Sequence, residues 1–144
     1  VTELHSAPFA DLSGHEVYGL CKLRVDVFVV EQNCAYPELD GADEDASTVH
    51  FWHAEDGAVV STLRLLRTEN ETRIGRVCTA ASARGRGLSA QLMTAAIEHA
   101  GGADIVIGAQ AHLEKWYSGF GFERSGPNYT EDSIPHLPMI RTAR

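Results

Sequence analysis

The chain has 144 residues, the length of one ordinary domain, and 44% of them are hydrophobic, too many for a disordered chain. A net charge of −8 without a basic stripe argues against nucleic acid as a partner. No apolar run approaches the roughly 20 residues of a membrane span, and Val1-Thr2-Glu3-Leu4-His5 lacks the basic-then-apolar pattern of a signal peptide. Cys21, Cys34 and Cys78 are odd in number and stand outside any C-x-x-C spacing, which argues against a disulfide framework or a zinc cage and fits a reducing, cytoplasmic setting. One domain over 1–144 is expected, with no metal and no membrane contact; oligomeric state stays open, a homodimer included.

A short strand is predicted around Glu3 to Phe9. Ser13-Gly14-His15-Glu16 then reads as a capping box, followed by Val17, Leu20, Cys21, Arg24 and Phe28 at helical spacing, so a helix is predicted from about Gly14 to Val27. Glu31 to Thr48 is polar and irregular, with Pro37 and Gly41 as breakers. His50 to Ala54 and Ala58 to Arg67 flank the turn signal Glu55-Asp56-Gly57 and predict a hairpin. A strand from Thr72 to Thr79 follows, in which Ile74, Val77 and Cys78 break strict alternation in the manner of a bulge.

A second helix starts near Arg86 and stops at Gly101-Gly102, with Leu88, Leu92, Met93, Ala96, Ile97 and Ala100 on its buried face. Ile105 to Ala109 is a continuously apolar strand suited to a sheet centre. A short helix carries His112 to Ser118, and two last strands lie near Phe122 to Arg124 and Leu137 to Ile140, with Pro138 pointing to an edge or a bulge. This order predicts an α/β fold, a mixed sheet with helices on both faces.

Arg84-Gly85-Arg86-Gly87-Leu88-Ser89 lies between a strand and a helix. A helix start offers unpaired N–H groups and the positive end of its dipole, and glycine lets a phosphate come close to the backbone. Arg84 and Arg86 add charge for phosphate. The competing reading is a polar loop with a glycine-eased turn. A Walker A loop is excluded by the missing Gly-Lys-Ser/Thr. Gly85, Gly87 and Ala90 formally meet the Rossmann spacing. The acidic residue at the right distance, Asp104, however, lies at the wrong end of the next strand, and too little chain remains to finish a dinucleotide domain.

These residues resemble the GNAT acetyltransferases, whose R/Q-x-x-G-x-G/A segment follows a bulged strand and holds the pyrophosphate of acetyl-CoA. Ser89 departs from the final Gly/Ala, but it is small and keeps a backbone N–H. Trp116-Tyr117-Ser118-Gly119-Phe120-Gly121-Phe122 resembles the family's aromatic segment, and Gln110 stands where many members have Asn. Val27-Phe28-Val29-Val30-Glu31-Gln32-Asn33-Cys34, Ile74-Gly75-Arg76-Val77, Ala109-Gln110-Ala111-His112-Leu113 and Ile134-Pro135-His136 resemble the ElaA-like branch, in order along most of the chain.

The resemblance implies a GNAT-like mixed, mostly antiparallel sheet with helices on both faces. It also implies N-acetyl transfer from acetyl-CoA to a small-molecule or peptide primary amine. Backbone groups of Arg76, Val77, Cys78 and Thr79 would hold the pantetheine arm, with an N–H near Cys78 as oxyanion donor. Arg84, Gly85, Arg86, Gly87, Leu88, Ser89 and Gln110 complete the implied acyl-CoA site.

Tyr117 is the candidate acid, because a phenol stays protonated at neutral pH and can give a proton to the departing thiolate. Leu113, Trp116 and Phe120 are expected in the core, with Tyr117 on the adjoining face; Tyr117 as one more core aromatic is the bland alternative. Glu31, His50 and His136 are candidate bases. Partial burial would raise Glu31 towards neutrality, histidine titrates near neutral pH unaided, and water could replace all three.

His50 and His53, three apart on a strand, face opposite ways and do not make a metal site. Five carboxylates stand in Glu38-Leu39-Asp40-Gly41-Ala42-Asp43-Glu44-Asp45, either a solvated loop or a lip for a cationic amine in which Asp40 and Asp43 bind substrate beside Glu31 and His50. An acyl-cysteine on Cys78 or Cys34, and a non-catalytic CoA-binding module, stay open as alternatives.

Overall fold

The computed structural model describes residues 2–143; Val1 and Arg144, the ends of the expected domain, lie outside the described residues. β1 (Glu3–Pro8) leads to α1 (Gly14–Arg24). Ser13 caps α1 as expected: its hydroxyl accepts from Glu16 N–H at 3.1 Å, and the Glu16 carboxylate accepts from Ser13 N–H at 2.8 Å. The helix does not stop near Val27. It widens at Val25 into a π-helical segment, Val25–Glu31, before Asn33 (φ 51°) turns the chain out. Val25, Val27, Val29 and Val30 are β-branched and crowd an α-helical turn, which favours the wider form here.

β2 (Val49–Glu55) and β3 (Ala58–Arg67) form the expected hairpin, with Asp56 (φ 51°) and Gly57 (φ 79°) both in the left-handed region that a two-residue turn of this twist requires. β4 spans Thr72–Thr79, as expected. Thr62 faces Cys78 and Arg64 faces Gly75, so Leu63 alone opposes Arg76 and Val77. This is the bulge that the broken alternation predicts, and Arg76 carries it at φ 54°. α2 (Leu88–Ala100) ends on left-handed Gly101, and β5 (Ile105–Gln110) follows.

Beyond β5 the single short helix becomes a 3-10 turn at Ala111–Leu113 and α3 (Glu114–Ser118). β6 (Glu123–Arg124), β7 (Tyr129–Glu131) and β8 (Ile134–Arg141) close the chain. β7 has no counterpart in the sequence reading: it is three residues long and exposed throughout, with no apolar pattern to mark it.

The eight strands form one sheet in the order β1-β2-β3-β4-β5-β8-β6, with β7 also on β8. Among the described residues only β4 and β5 pair in parallel, so the expected mixed, mostly antiparallel sheet is borne out. Leu92, Met93 and Ala96 of α2 pack on Phe51, Leu63, Leu65 and Ile74, while Leu23 of α1 and Val27 pack with Cys78 on the other face.

β8 is interior rather than an edge. Pro138 is tolerated because its carbonyl accepts from Ser125 N–H at 2.9 Å beyond the end of β6. The nitrogen of the same residue faces that side too, so proline forfeits only a return bond to Ser125, past the end of β6, and none to β5.

Candidate active site

β4 and β5 pair at Thr72–Ile105 and Arg73–Val106 and then part. The bulge at Arg76 bends β4 away, and a cleft of about 1370 Å³ opens between the two strands, lined from β4 by Ile74 to Thr79 and from β5 by Ile107, Gly108 and Gln110. A parted strand leaves one edge of its backbone without a partner. Ala80 N–H donates to Val60 O at 2.8 Å. By alternation Cys78 N–H also points to β3, and the Val77 and Thr79 amides face the cleft. The donors near Cys78 are therefore those of its neighbours.

At one end of the cleft lies the glycine loop. Gly85 (φ 79°) and Gly87 (φ 74°) are left-handed, and a Cβ on either would meet nothing within 4 Å, so space stands above the loop. Gly87 begins α2 without a side-chain cap, and the first amides of the helix are free to bind an anion. Leu88 has its side chain in the core, so only its backbone serves there.

Ser89, where the family pattern has Gly or Ala, bonds inward. Ser61 Oγ donates to Cys78 O (3.2 Å), Thr79 Oγ1 contacts Ser61 Oγ (2.8 Å), and Ser89 Oγ contacts Thr79 Oγ1 (2.6 Å). A carbonyl only accepts and each hydroxyl has one proton, so the chain runs from Ser89 to Thr79 to Ser61. It ties the start of α2 to β4.

Both arginines of the loop are paired with carboxylates. Arg84 makes a two-pronged pair with Glu31 (2.6 and 2.7 Å) and donates from Nε to Thr79 O (3.0 Å). Arg86 pairs with Glu55. The expected upward shift of Glu31 is corrected: the Arg84 guanidinium outweighs desolvation and holds its carboxyl below, not above, the ordinary range.

Tyr117 is 7% exposed and more buried than Leu113, Trp116 or Phe120, the reverse of the expected order. Its ring packs edge-on against Trp116 (4.9 Å) and Phe122 (6.2 Å), yet the residue lines the cleft, and its hydroxyl makes no hydrogen bond among the described residues. One aromatic thus serves both core and site. Burial pushes the phenol up to about 12, and the Cys78 thiol is likewise pushed up to about 12 by burial.

Gln110 and His136 face each other across the β5–β8 ladder at the cleft. His136 Nδ1 lies 2.7 Å from Ile134 O. A carbonyl cannot donate, so Nδ1 carries a proton, and in the neutral ring Nε2 is the nitrogen that has the lone pair. Nε2 lies 3.8 Å from Glu131, and the ring stacks on Tyr129 at 5.7 Å.

The acidic run is exposed at Asp40, Glu44 and Asp45, but Asp40 and Asp43 are already engaged by arginines and do not form a free anionic lip. Arg24 (2% exposed) pairs with Glu38 and Asp43, Arg64 (4% exposed) with Asp40 and Asp43, and Arg76 with Glu38 and Asp40. Tyr36 adds a hydroxyl to Glu38. Three guanidiniums balance three carboxylates, so the cluster offers an incoming amine no spare charge. His50 is buried against it, with Nε2 on Asp43 O at 3.1 Å, and stands outside the cleft lining. The pairing of Arg24, Arg64 and Arg76 with Glu38, Asp40 and Asp43 escaped the sequence reading; the available signal was a charged residue, Arg24, inside the apolar stripe of α1.

A family profile described as an acetyltransferase (GNAT) domain matches residues 17–143. The chain belongs to the GNAT acetyltransferase family. A UPF0039 protein of Mycobacterium tuberculosis is 49% identical over 136 residues, 91% of this chain and 87% of that one. Escherichia coli ElaA is 37% identical over 139 residues, 92% of this chain and 91% of its own, and its crystal structure matches with a TM-score of 0.92. The crystal structure of an acyl-CoA N-acyltransferase from Pseudomonas aeruginosa matches with a TM-score of 0.94 at 40% identity, over 99% of this chain and all 100% of that one. The resemblance to the ElaA-like branch is borne out, and the GNAT fold here is that of acyl-CoA N-acyltransferases. Among the described residues no helix is long and apolar enough to cross a membrane.

The GNAT cleft rests on a cluster that titrates in two stages. Burial lowers His50 in the fold, so the unfolded chain takes up that proton first. The stability it contributes is present above about pH 6.5 and declines as pH falls towards its folded value. Arg64 holds Asp40 down, and Arg24 and Arg64 outweigh the burial of Asp43 and lower it too. Their contribution is present above about pH 4 and is lost below it. His50→Gln keeps a donor for Asp43 O. Melting curves from pH 8 to pH 3 should show a smaller loss between pH 7 and pH 5 in this variant than in the wild type, with the acid stage retained. Superimposable profiles in that upper window would contradict the assignment to His50.

Proposed function

We propose that the chain is an N-acetyltransferase that moves the acetyl group of acetyl-CoA to a small-molecule or peptide primary amine by direct attack. The observation that carries this reading is one cleft combining an uncapped helix start, cleft-facing β4 amides, an unbonded phenol and a histidine with a free Nε2. The amides of Leu88 and Ser89, with Gly85 and Gly87 clearing the approach, suit a pyrophosphate. Val77, Thr79 and Gln110 suit the amide-bearing arm. Acetyl-CoA supplies the thioester.

His136 Nε2 takes the proton that the amine must lose. The Val77 or Thr79 amide receives the negative charge that develops on the thioester oxygen; one such donor contributes about 2.7–4 kcal/mol in other acyl-transfer sites. Tyr117 donates to the sulfur as the carbon–sulfur bond breaks and the carbon–nitrogen bond forms. The products are an amide and the thiol, and His136 and Tyr117 recover their protonation by exchange with water.

A phenol near 12 is fully protonated at neutral pH, so it acts chiefly as a donor whose proton moves only once charge has reached the sulfur. Cys78, with its thiol pushed up to about 12, is a poor nucleophile, which favours direct attack over an acyl-cysteine.

Free thiol should appear when acetyl-CoA is offered with a panel of amines, polyamines and peptides. Tyr117→Phe should lower kcat and kcat/KM together, by about 10²–10⁴-fold, while acetyl-CoA affinity holds. Activity within threefold of wild type would remove Tyr117 from the mechanism. Binding without turnover across the panel would favour a CoA-binding module. Mass spectrometry after incubation with acetyl-CoA alone should find no acetyl-cysteine at Cys34 or Cys78; a stoichiometric adduct that is chased onto an amine would refute direct transfer.

A further inference from the structure

The ladder between β4 and β5 ends at Arg73–Val106, so the sheet's own hydrogen bonds do not set the width of the cleft beyond that point. Two adjacent residues at the tip of the π-helical segment reach across it. Glu31 grips Arg84 with both oxygens, and Arg84 holds Thr79 O, the last carbonyl of β4. Gln32 exchanges two long amide contacts with Gln110, the last residue of β5 (3.5 and 3.3 Å). Neighbouring residues on a helix point in different directions, which lets one tip meet both walls.

We infer that Glu31 and Gln32 form a bracket that fixes the opening between β4 and β5, with Glu31 acting on the phosphate loop through Arg84. Glu31 is then a positioning residue. Arg84 opens a loop whose next turns depend on left-handed Gly85 and Gly87, and such a loop has little stiffness of its own. The fork of Arg84 supplies it: Nε is fixed to β4, and the two terminal nitrogens to Glu31. The side chains of this pair are 43% and 44% exposed, so the attraction itself is weak and screened by salt. What the pair contributes is geometry, since a two-pronged guanidinium–carboxylate contact sets both distance and angle. Lysine cannot reproduce it.

The inference rests on acyl-CoA binding as proposed above, and it is tested on affinity apart from turnover. Acetyl-CoA is titrated by calorimetry into wild type, Glu31→Gln, Arg84→Gln, the double variant and Arg84→Lys, with kcat, its pH profile and melting temperature measured alongside. Each single substitution should weaken acetyl-CoA by roughly tenfold, and the double variant should be no weaker than the worse single, as expected for coupled partners. Arg84→Lys should not rescue binding. The loss in Glu31→Gln should fall on affinity more than on kcat, and the pH profile should keep its shape.

An additive double variant would overturn the bracket, as would folded variants with lower melting temperatures but unchanged affinity. Glu31→Gln with intact affinity, a collapsed kcat and a lost pH limb would overturn it in favour of Glu31 as base. A wild type that fails to bind acetyl-CoA would remove the reading beneath it, an outcome distinct from either.

Discussion

β4 and β5 share a ladder over two residue pairs and then separate, and the candidate chemistry depends on that separation. A parallel pair kept in register to its end would spend the Val77 and Thr79 amides on β5 and leave no room between the strands. The bulge at Arg76 helps part them. It is an unusual place for an arginine: a non-glycine residue in the left-handed region costs of order 1 kcal/mol or more. Its side chain is held by Glu38 and Asp40 and lies over the Tyr36 ring. The backbone irregularity that makes the cleft is thus tied to a charge cluster on the α1 side of the sheet.

That cluster gives the acidic run its place in the fold. Glu38, Asp40 and Asp43 would repel one another if brought together alone. Between Arg24, Arg64 and Arg76 they instead carry the 36–43 loop onto the sheet beside α1. Removing one partner would leave a buried charge uncompensated, which is why such pairs enforce a geometry even where their net stabilisation is small. The surface pairs of Arg84 and Arg86 are different: exposed and screened, they contribute little net attraction.

Periodicity made most of the fold legible. α1 announced its start through Ser13 and Glu16, the hairpin through Asp56-Gly57, and the bulge through the broken alternation of Ile74, Val77 and Cys78. β7 was invisible because its residues are exposed, and the interior position of β8 was hidden by Pro138, whose missing donor faces Ser125 past the end of β6 rather than β5. For the site, the glycine loop and Tyr117 were legible because their residue types restrict what the backbone and the chemistry can do. Partners of charged residues were not: Glu31 with Arg84, and Asp40 and Asp43 with Arg24 and Arg64, lie 19 to 53 positions apart, and no local pattern encodes such pairings. The tautomer of His136 likewise needed the Ile134 carbonyl in view.

On the proposed function, acyl-CoA phosphate sits above Gly87 at the start of α2. Calorimetric titration of acetyl-CoA into wild type, Gly87→Asn and Gly87→Glu tests it most directly. Asparagine tolerates the left-handed backbone and glutamate puts bulk and negative charge where phosphate must lie. Wild type should bind acetyl-CoA, Gly87→Asn should keep measurable binding, and folded Gly87→Glu should lose it. Undiminished binding by folded Gly87→Glu, or a wild type that binds NAD and not acetyl-CoA, would contradict this placement of the phosphate.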